Sequence, residues 1–321
     1  GERYRLVGHK WFFSAPMSDA FLVLAQAPAG LTCFFLPRVL SDGTLNAIAI
    51  QRLKDKLGNH ANASSEVEFD QALAWRVGDE GRGVAQILEM GTLTRLDCAL
   101  GTAGLMRGAT ALALHHASQR RAFSRTLAEQ PLMRNVLADL AIESEAATAL
   151  ALRLARAVER QDDPFEAQMR RVLTPVAKFW ICKRGSALAQ EAMECLGGNG
   201  YVEEHGEGVM ARIYREMPLN SIWEGAGNIM ALDLIRALKK RGSGDAVEAL
   251  ASEFASTRGA HALLDRATDR LLARLADDGA GEEFDGRGLA QQVAVAMQAS
   301  LLKRHAPDAV FDAYCLSRLG D

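Results

Sequence analysis

The 321-residue chain is 49% hydrophobic and 24% charged, a composition that excludes the disordered and collagen-like classes of protein. Its 37 Lys and Arg against 40 Asp and Glu give a formal charge of −3, so the chain as a whole has no positive field for nucleic acid or anionic lipid. No apolar run reaches the roughly 18 residues that a membrane-spanning helix needs. We therefore expect a globular protein of two or three domains without a membrane partner.

The five cysteines are widely spread and form no CxxC pair, and the seven histidines are scattered. This pattern favours a reducing, cytoplasmic location and disfavours a zinc site, so no metal is expected. The first ten residues contain neither the apolar nor the basic stretch of a targeting peptide. Because the chain opens within a predicted strand at residues 4–7, we expect it to be a fragment of a longer protein.

Residues 1–83 are predicted to form antiparallel β structure. Short apolar runs such as Ala20–Ala25 and Thr32–Leu36 are separated by clusters of Gly, Pro, Asn and Asp. The segment Ser65–Phe69 alternates polar and apolar residues, as a half-buried strand does. Glycines between Gly78 and Gly83 then end the β region.

Residues 84–241 are predicted to be helical, because apolar residues recur there at spacings of three and four. The first helix begins near residue 84, and the second covers about 132–160. The third follows Pro164 and ends at the glycines near Gly197, and the fourth runs from about Glu224 to Lys240. Four long helices that share an apolar face predict a helix bundle.

Residues 242–321 are predicted to be a further helical extension of three or four segments. The clearest are Ala260–Leu275, Leu289–His305 and Ala309–Leu319. The fold class is therefore α+β and mostly α.

Two short motifs contain the residues with the clearest chemical potential. In IWEGAGN, Ile222–Asn228, a carboxylate lies between an aromatic residue and a glycine, an arrangement that can place it in an apolar site and raise its pKa. Glu224 is therefore a candidate general base. The alternative is an acidic residue in the first turn of a helix, where it interacts favourably with the helix dipole, and the local pattern alone favours this second interpretation.

The other motif is the glycine run LGGNG, Leu196–Gly200. It lacks the GxGxxG spacing and the preceding strand of a Rossmann turn, so it gives no support for a nicotinamide dinucleotide fold. Two interpretations remain for it: a close approach of the backbone to a ligand, or the C-terminal end of a helix.

Taken together, these motifs resemble the acyl-CoA dehydrogenase family. The resemblance extends to GHKWFFS (Gly8–Ser14), KLGNHANASSEVEF (Lys56–Phe69) and RRAFSRTLAEQP (Arg120–Pro131), in the same order along the chain. The chain is most similar to the AidB branch, alkylation-response flavoproteins with an extra C-terminal helical domain. The resemblance implies a partial β-barrel domain over residues 1–83, the four-helix bundle over 84–241 and the extension over 242–321. It also implies that the family's N-terminal helical domain and the first half of its β domain are missing.

The activity that the resemblance implies is FAD-dependent α,β-dehydrogenation of an acyl-CoA thioester. Glu224 would remove the α proton while hydride leaves the β carbon for flavin N5. In some branches the base instead precedes the arginine matched by Arg95, but that position is Thr94 here. The implied substrate residues are Arg95, Trp223 and Gly225, and the implied FAD residues are Phe12, Ser14, Arg120, Phe123, Glu194, Gly197, Gly198, Ala226 and Asn228.

The resemblance also implies partners. Arg120 and Phe123 match residues that contact the FAD of a neighbouring subunit, so we expect a homotetramer built as a dimer of dimers, with an electron-transferring flavoprotein as electron acceptor. Three departures from the family pattern are Ser124, where a glycine is usual, Pro131, where a glutamine is usual, and Glu194, where a glutamine is common.

The AidB branch adds an alternative function, which is binding of duplex DNA in the alkylation response with little dehydrogenase turnover. The residues implied are Arg236, Lys239, Lys240 and Arg241, a cationic cluster at the end of the fourth helix. Cations at a helix C-terminus also stabilise the helix dipole, and this explanation stays open.

Overall fold

The computed structural model describes residues 2–203, 208–239, 244–276 and 283–320. The chain divides into two compact units, Gly1–Thr94 and Arg95–Asp321. Helices account for 62% of the structure, which confirms the mostly α class. Within the described ranges, none of the helices is long and apolar enough to cross a membrane. The domain limits predicted at residues 83 and 241 stay predictions.

Unit 1 is built on a five-stranded antiparallel sheet, as predicted, and the sheet curls into a half-barrel. The strand order is β1-β5-β3-β2, and β4 also pairs with β5. The strands are β1 (Arg3–Phe13), β2 (Ala20–Ala27), β3 (Gly30–Pro37), β4 (Ile48–Leu53) and β5 (Ser65–Val77).

Strand β5 organises this sheet. One edge of β5 pairs with β1, while the other edge pairs with β4 over its first half and with β3 over its last residues. Gln71 is the extra residue of a β-bulge opposite β1 and has a left-handed backbone (φ 59°). The side chain of Asn46 bridges the strands, because its amide donates to the carbonyls of Pro37 and Leu73 at 2.8 Å.

The sheet buries one face in an apolar cluster, as the alternation in its strands requires. The cluster comprises Leu6, Phe13, Val23, Phe34, Leu36, Val67, Phe69, Ala72 and Ala74. The first helix of the chain begins directly beside the sheet at Gly83, where a Cβ atom would lie 2.5 Å from the backbone nitrogen of Cys33. Only glycine fits this close approach.

The helices confirm most of the sequence prediction. Three long helices have the predicted places: α1 (Gly83–Gln119), α2 (Pro131–Glu159) and α3 (Pro164–Cys195). They are followed by α4 (Gly198–Tyr201), α5 (Val209–Asn220), α6 (Gly227–Lys239), α7 (Gly244–Ala255), α8 (Ala262–Ala276), α9 (Gly286–His305) and α10 (Asp308–Arg318). A hairpin of β6 (Arg121–Ala122) and β7 (Arg125–Thr126) joins α1 to α2.

Local chemistry explains the start of α3. Asp163 caps the helix by accepting from the backbone N–H groups of Phe165 and Glu166, and Pro164 occupies the first helical position. Pro175 lies inside α3, which continues to Cys195.

The prediction missed α5, and it placed the start of α6 near Glu224, whereas the helix begins at Gly227.

The bundle and the C-terminal extension share one hydrophobic core. Helix α3 is central to it, and buried residues of α7 and α9 join those of α1, α2, α5 and α6. The larger core side chains include Met106, Leu150, Leu154, Met169, Leu173, Met217, Leu250 and Met297. The extension therefore packs into the bundle rather than forming a separate core.

A buried ion network adds to this packing. Arg153 on α2 bonds Glu166 on α3 at 2.7 Å and Glu253 on α7 through two nitrogens at 2.9 and 3.0 Å. Arg304 on α9 bonds the same Glu253 at 2.6 Å. One buried guanidinium thus connects the bundle to the extension.

Candidate active site

Glu224 lies in the turn between α5 and α6 and not in a helix. Its backbone is left-handed (φ 57°), and so is that of Gly225 (φ 103°). A glutamate with a positive φ is uncommon and costs conformational energy, so the surrounding structure must hold it in place. Because α6 begins three residues later at Gly227, the interpretation of Glu224 as a residue of the first helical turn is wrong.

Two cations hold consecutive carbonyl groups of this turn. The Nε of Arg95 donates to the carbonyl oxygen of Glu224 at 3.1 Å, and the Nζ of Lys178 donates to that of Gly225 at 2.7 Å. Arg95 is fixed in turn by Asp233 on α6, at 3.0 Å, and Asp233 also bonds Arg171 on α3 at 3.1 Å. The turn is therefore held from α1, α3 and α6 together.

A chain of hydrogen bonds connects Trp223 to α1. Its indole Nε1 donates to Asn220 Oδ1 at 3.1 Å, and the amide of Asn220 donates to Thr102 Oγ1 at 3.0 Å. Thr102 donates to the carbonyl oxygen of Cys98, one helical turn earlier, at 2.7 Å. These bonds fix the side of the turn that precedes Glu224.

The carboxylate itself is exposed within unit 2. Ile222 is also 62% exposed, and Trp223 is half-buried. The apolar site that the motif predicted around Glu224 is therefore not formed by the described residues of this chain.

The backbone of the motif explains Gly225, because side chains rarely tolerate its φ of 103°. A Cβ atom on Gly225 or Gly227 would meet the flexible ends of Met230 and Lys183, which can move aside. Asn228, at the start of α6, accepts from Nη1 of Arg287 at 3.3 Å. Arg287 belongs to α9, so the extension contributes a side chain beside the predicted site.

The predicted subunit-bridging segment forms the turn of the β6–β7 hairpin. Phe123 (φ 52°) and Ser124 (φ 68°) are both left-handed, which is the conformation of a type I′ turn. Ser124 replaces the usual glycine at a position where glycine would avoid strain. The ring of Phe123 is 92% exposed, and Arg120 before it is exposed as well. The hairpin thus presents an aromatic ring and a guanidinium outward.

The glycine run ends α3 and starts α4. Gly197 is left-handed (φ 59°), and no atom lies within 4 Å of the position of a Cβ atom there. Gly198 is exposed like Gly197, and Glu194 is exposed and accepts a hydrogen bond from Gln190 at 3.4 Å. The run is therefore a helix end that also leaves its backbone open to a ligand.

In unit 1, Phe12 lies near the end of β1 and Ser14 directly follows that strand. The ring of Phe12 is 71% exposed, whereas the neighbouring Phe13 is in the core. The ammonium group of Lys54 lies 4.7 Å from the centre of the Phe12 ring and 3.4 Å from that of Trp11.

Of the cationic cluster predicted to contact DNA, the structure describes Arg236 and Lys239. Both are exposed in the last turn of α6, and neither pairs with a carboxylate of the described residues. Lys240 and Arg241 lie outside the described residues.

Sequence analysis missed three residues of this site: Lys178, Asp233 and Asn220. Lys178 carries the clearest signal, because a lysine interrupts the apolar segment VAKFWIC in the middle of a predicted helix. A charged residue there is either paired or functional. Asp233 and Asn220 carry no comparable signal in the sequence.

Comparison with known proteins identifies the family. The family description "Acyl-CoA dehydrogenase, C-terminal domain" matches residues 81–239. AidB of Escherichia coli K12 is 50% identical over 312 residues, which cover 97% of this chain and 56% of AidB. The chain belongs to the acyl-CoA dehydrogenase family. The similarity to AidB agrees with the branch predicted from the motifs.

A further curated relative and a similar solved structure come from Caenorhabditis elegans. Acyl-CoA dehydrogenase family member 11 is 34% identical over 249 residues, covering 73% of this chain and 40% of that protein. The crystal structure of ACDH-11 in complex with C11-CoA superposes with a TM-score of 0.89 at 30% identity, covering 100% of this chain and 60% of that one. The chain spans about half the length of the curated relatives it matches.

Proposed function

We propose that this chain carries the catalytic base of an FAD-dependent acyl-CoA dehydrogenase. The observation that supports this best is the left-handed backbone of Glu224. Arg95 holds the carbonyl group of Glu224, and Lys178 holds that of Gly225. Strain that the surrounding structure maintains is typical of functional sites. The solved relative in complex with C11-CoA supports a fatty acyl-CoA as the substrate class.

The chemistry requires removal of a weakly acidic α proton. Glu224 would accept it on a carboxylate oxygen, so that the carboxylate becomes a neutral carboxylic acid. The α proton becomes acidic when donors polarise the thioester carbonyl. Within the described residues no acceptor takes the backbone N–H of Glu224, so this group is free to donate to the thioester oxygen. FAD, when bound, would accept the hydride that leaves the β carbon.

The residues present fit FAD in their donor chemistry. In unit 2, the exposed guanidinium of Arg120 suits a pyrophosphate, and the open backbone at Gly197 and Gly198 allows the adenine side of FAD to approach closely. The exposed ring of Phe123 suits a flat ring system. The remaining residues proposed to hold FAD are Ala226, Asn228 and Glu194 in unit 2, and Phe12 and Ser14 in unit 1. Glu194 is the exception in this set, because its negative charge repels a phosphate.

We further propose a homotetramer, arranged as a dimer of dimers, and an electron-transferring flavoprotein as the acceptor of electrons. The β6–β7 hairpin supports the first proposal. A phenylalanine ring held outward on a strained turn loses hydrophobic stabilisation unless another surface covers it. A neighbouring subunit that places its own cofactor there would provide that cover.

The visible absorption spectrum tests the proposed activity. We expect the purified protein, loaded with FAD, to lose its flavin absorption on anaerobic addition of an acyl-CoA from a panel of different chain lengths. Loss of absorption identifies the substrate class. A flavin-loaded protein that no acyl-CoA reduces would contradict the proposal.

A second candidate function is non-specific binding of duplex DNA. Arg236 and Lys239 support it, because both are exposed at one end of α6 without a carboxylate partner among the described residues. Symmetry-related copies in an oligomer would repeat this pair. Binding would then involve phosphates and not base sequence.

We expect micromolar binding of a labelled duplex at low salt that weakens steeply as salt is added, measured by fluorescence anisotropy. The double variant Arg236→Ala/Lys239→Ala should bind more weakly and with a shallower salt dependence, without change in flavin reduction. The matched control is Arg266→Ala/Arg270→Ala, which removes two exposed arginines from α8. Equal loss in both double variants would show that only net charge matters, and absence of binding at low salt would exclude the function.

A further inference from the structure

Lys178 is a buried cation whose position needs explanation. It lies in the middle of α3 and is 1% exposed. Burial lowers the pKa of its ammonium group. In the described part of the chain no carboxylate forms an ion pair with it, and its hydrogen bond goes to the carbonyl oxygen of Gly225 at 2.7 Å. A buried cation without an ion-pair partner destabilises the fold, so its presence here calls for a role other than stability.

The surroundings of Lys178 compensate for this cost only in part. Burial raises the pKa of the neighbouring Cys182 thiol to about 12, so this thiol carries no negative charge. The charge of Glu224 favours the ammonium form of Lys178, but burial outweighs it and the two side chains form no ion pair. A methionine would fill nearly the same volume without a charge. Packing therefore gives no reason for a lysine here, and the remaining role is its bond to the turn.

We propose that Lys178 is a positioning residue that fixes the orientation of Glu224. This inference rests on the proposed function of Glu224 as the base. Arg95 holds the carbonyl of Glu224 and Lys178 holds the next carbonyl, so the two peptide planes that follow the carboxylate are both anchored. Arg95 alone leaves the second plane free to rotate.

The backbone of the turn explains why the second anchor matters. Gly225 has access to most of φ/ψ space, so without an anchor its φ of 103° is one choice among many. Only the bond from Arg95 to the carbonyl of Glu224 would then oppose relaxation of Glu224 from its left-handed conformation. A base that moves by about 1 Å can lose on the order of 100-fold in rate.

Two variants of Lys178 separate positioning from packing. Lys178→Met removes the donor and the buried charge, and Lys178→Gln keeps an N–H donor on a shorter side chain. We expect Lys178→Met to be at least as stable to urea as Lys178→Gln, since it buries no polar group. For kcat we expect the opposite order, with Lys178→Met about 10- to 100-fold below the unmodified protein, Lys178→Gln between them, and KM changed by less than about 3-fold. If Lys178 served packing alone, the variant that is more stable to urea would also have the higher kcat.

Hydrogen–deuterium exchange of a peptide that covers residues 221–230 gives a readout that needs no activity. We expect faster exchange in Lys178→Met and unchanged exchange in the control Cys195→Ala, which alters the buried face of the same helix without touching the turn or the donor. Unchanged exchange in Lys178→Met, or a kcat within about 2-fold of the unmodified protein, would overturn the proposal. If none of the acyl-CoAs reduces the flavin of the unmodified protein, the proposed function fails. The exchange result still decides whether Lys178 fixes the turn.

Discussion

Substitution of Glu224 by Gln is expected to abolish reduction of bound flavin by any acyl-CoA while the protein stays folded. Glutamine keeps the size of the side chain but cannot accept the α proton. Loss of a general base costs on the order of 10²- to 10⁴-fold or more in rate. Because Glu224 is exposed within unit 2, the substitution removes no buried hydrogen bond and should change the free energy of unfolding by less than about 0.5 kcal/mol.

Anaerobic stopped-flow measurement of flavin absorption gives the rate of reduction. Glu159→Gln is the matched control, since Glu159 is an exposed glutamate at the end of α2, outside the proposed site. We expect the control to reduce at the rate of the unmodified protein. Equal rates in Glu224→Gln and the control would mean that the base is another residue or that the protein is not a dehydrogenase.

The fold was largely predictable because the sequence is locally consistent. Alternation in Ser65–Phe69 and the apolar runs before it predicted strands, and the repeat of apolar residues predicted α1, α2 and α3. Helix α5 was missed because it is short and contains Pro218, which is typical of a helix end. The start of α6 was misplaced because nothing in IWEGAGN distinguishes a left-handed turn from a first helical turn.

The site was predictable only in part. Resemblance to the family selected Glu224 and Arg95, but the partners of these residues depend on contacts between distant segments. Arg95 and Asp233 are 138 positions apart in the sequence, and Lys178 and Gly225 are 47 apart. A helical pattern predicts which residues are buried, but it does not predict which carbonyl group a buried lysine reaches. The exposure of Glu224 was also not predictable, because it depends on the direction of the turn.

The buried ion network gives the largest expected effect on stability. Arg153 is 6% exposed and bonds both Glu166 and Glu253, which are themselves buried. Removal of Arg153 takes the buried cation away from both carboxylates, which then keep only the more exposed Arg156 and Arg304 as partners. We expect Arg153→Met to lower the free energy of unfolding by about 3–5 kcal/mol, measured with urea at about pH 7. Arg134→Met is the matched control, since Arg134 is exposed on the same helix, and it should change this free energy by less than about 0.5 kcal/mol.

The pH dependence of this effect follows from the pKa of Glu253. Burial acts to raise this pKa, but the hydrogen bonds and charges of Arg153 and Arg304 outweigh it and hold the pKa below its ordinary value of 4.5. In the unmodified protein the stabilisation by Glu253 is therefore complete above about pH 4.5 and is lost only as the pH falls through the lower folded-state pKa. In Arg153→Met the balance shifts towards burial, which raises the pKa of Glu253.

A higher folded-state pKa makes the contribution of Glu253 to stability smaller in Arg153→Met than in the unmodified protein. As the pH falls from about 7 to about 4, the unmodified protein therefore loses more of the stabilisation from Glu253 than the variant does. The difference in the free energy of unfolding between the two proteins should therefore be smaller at about pH 4 than at about pH 7. A difference that stays constant across this range would mean that Arg153 stabilises the bundle by packing of its side chain and not by neutralising the buried carboxylates.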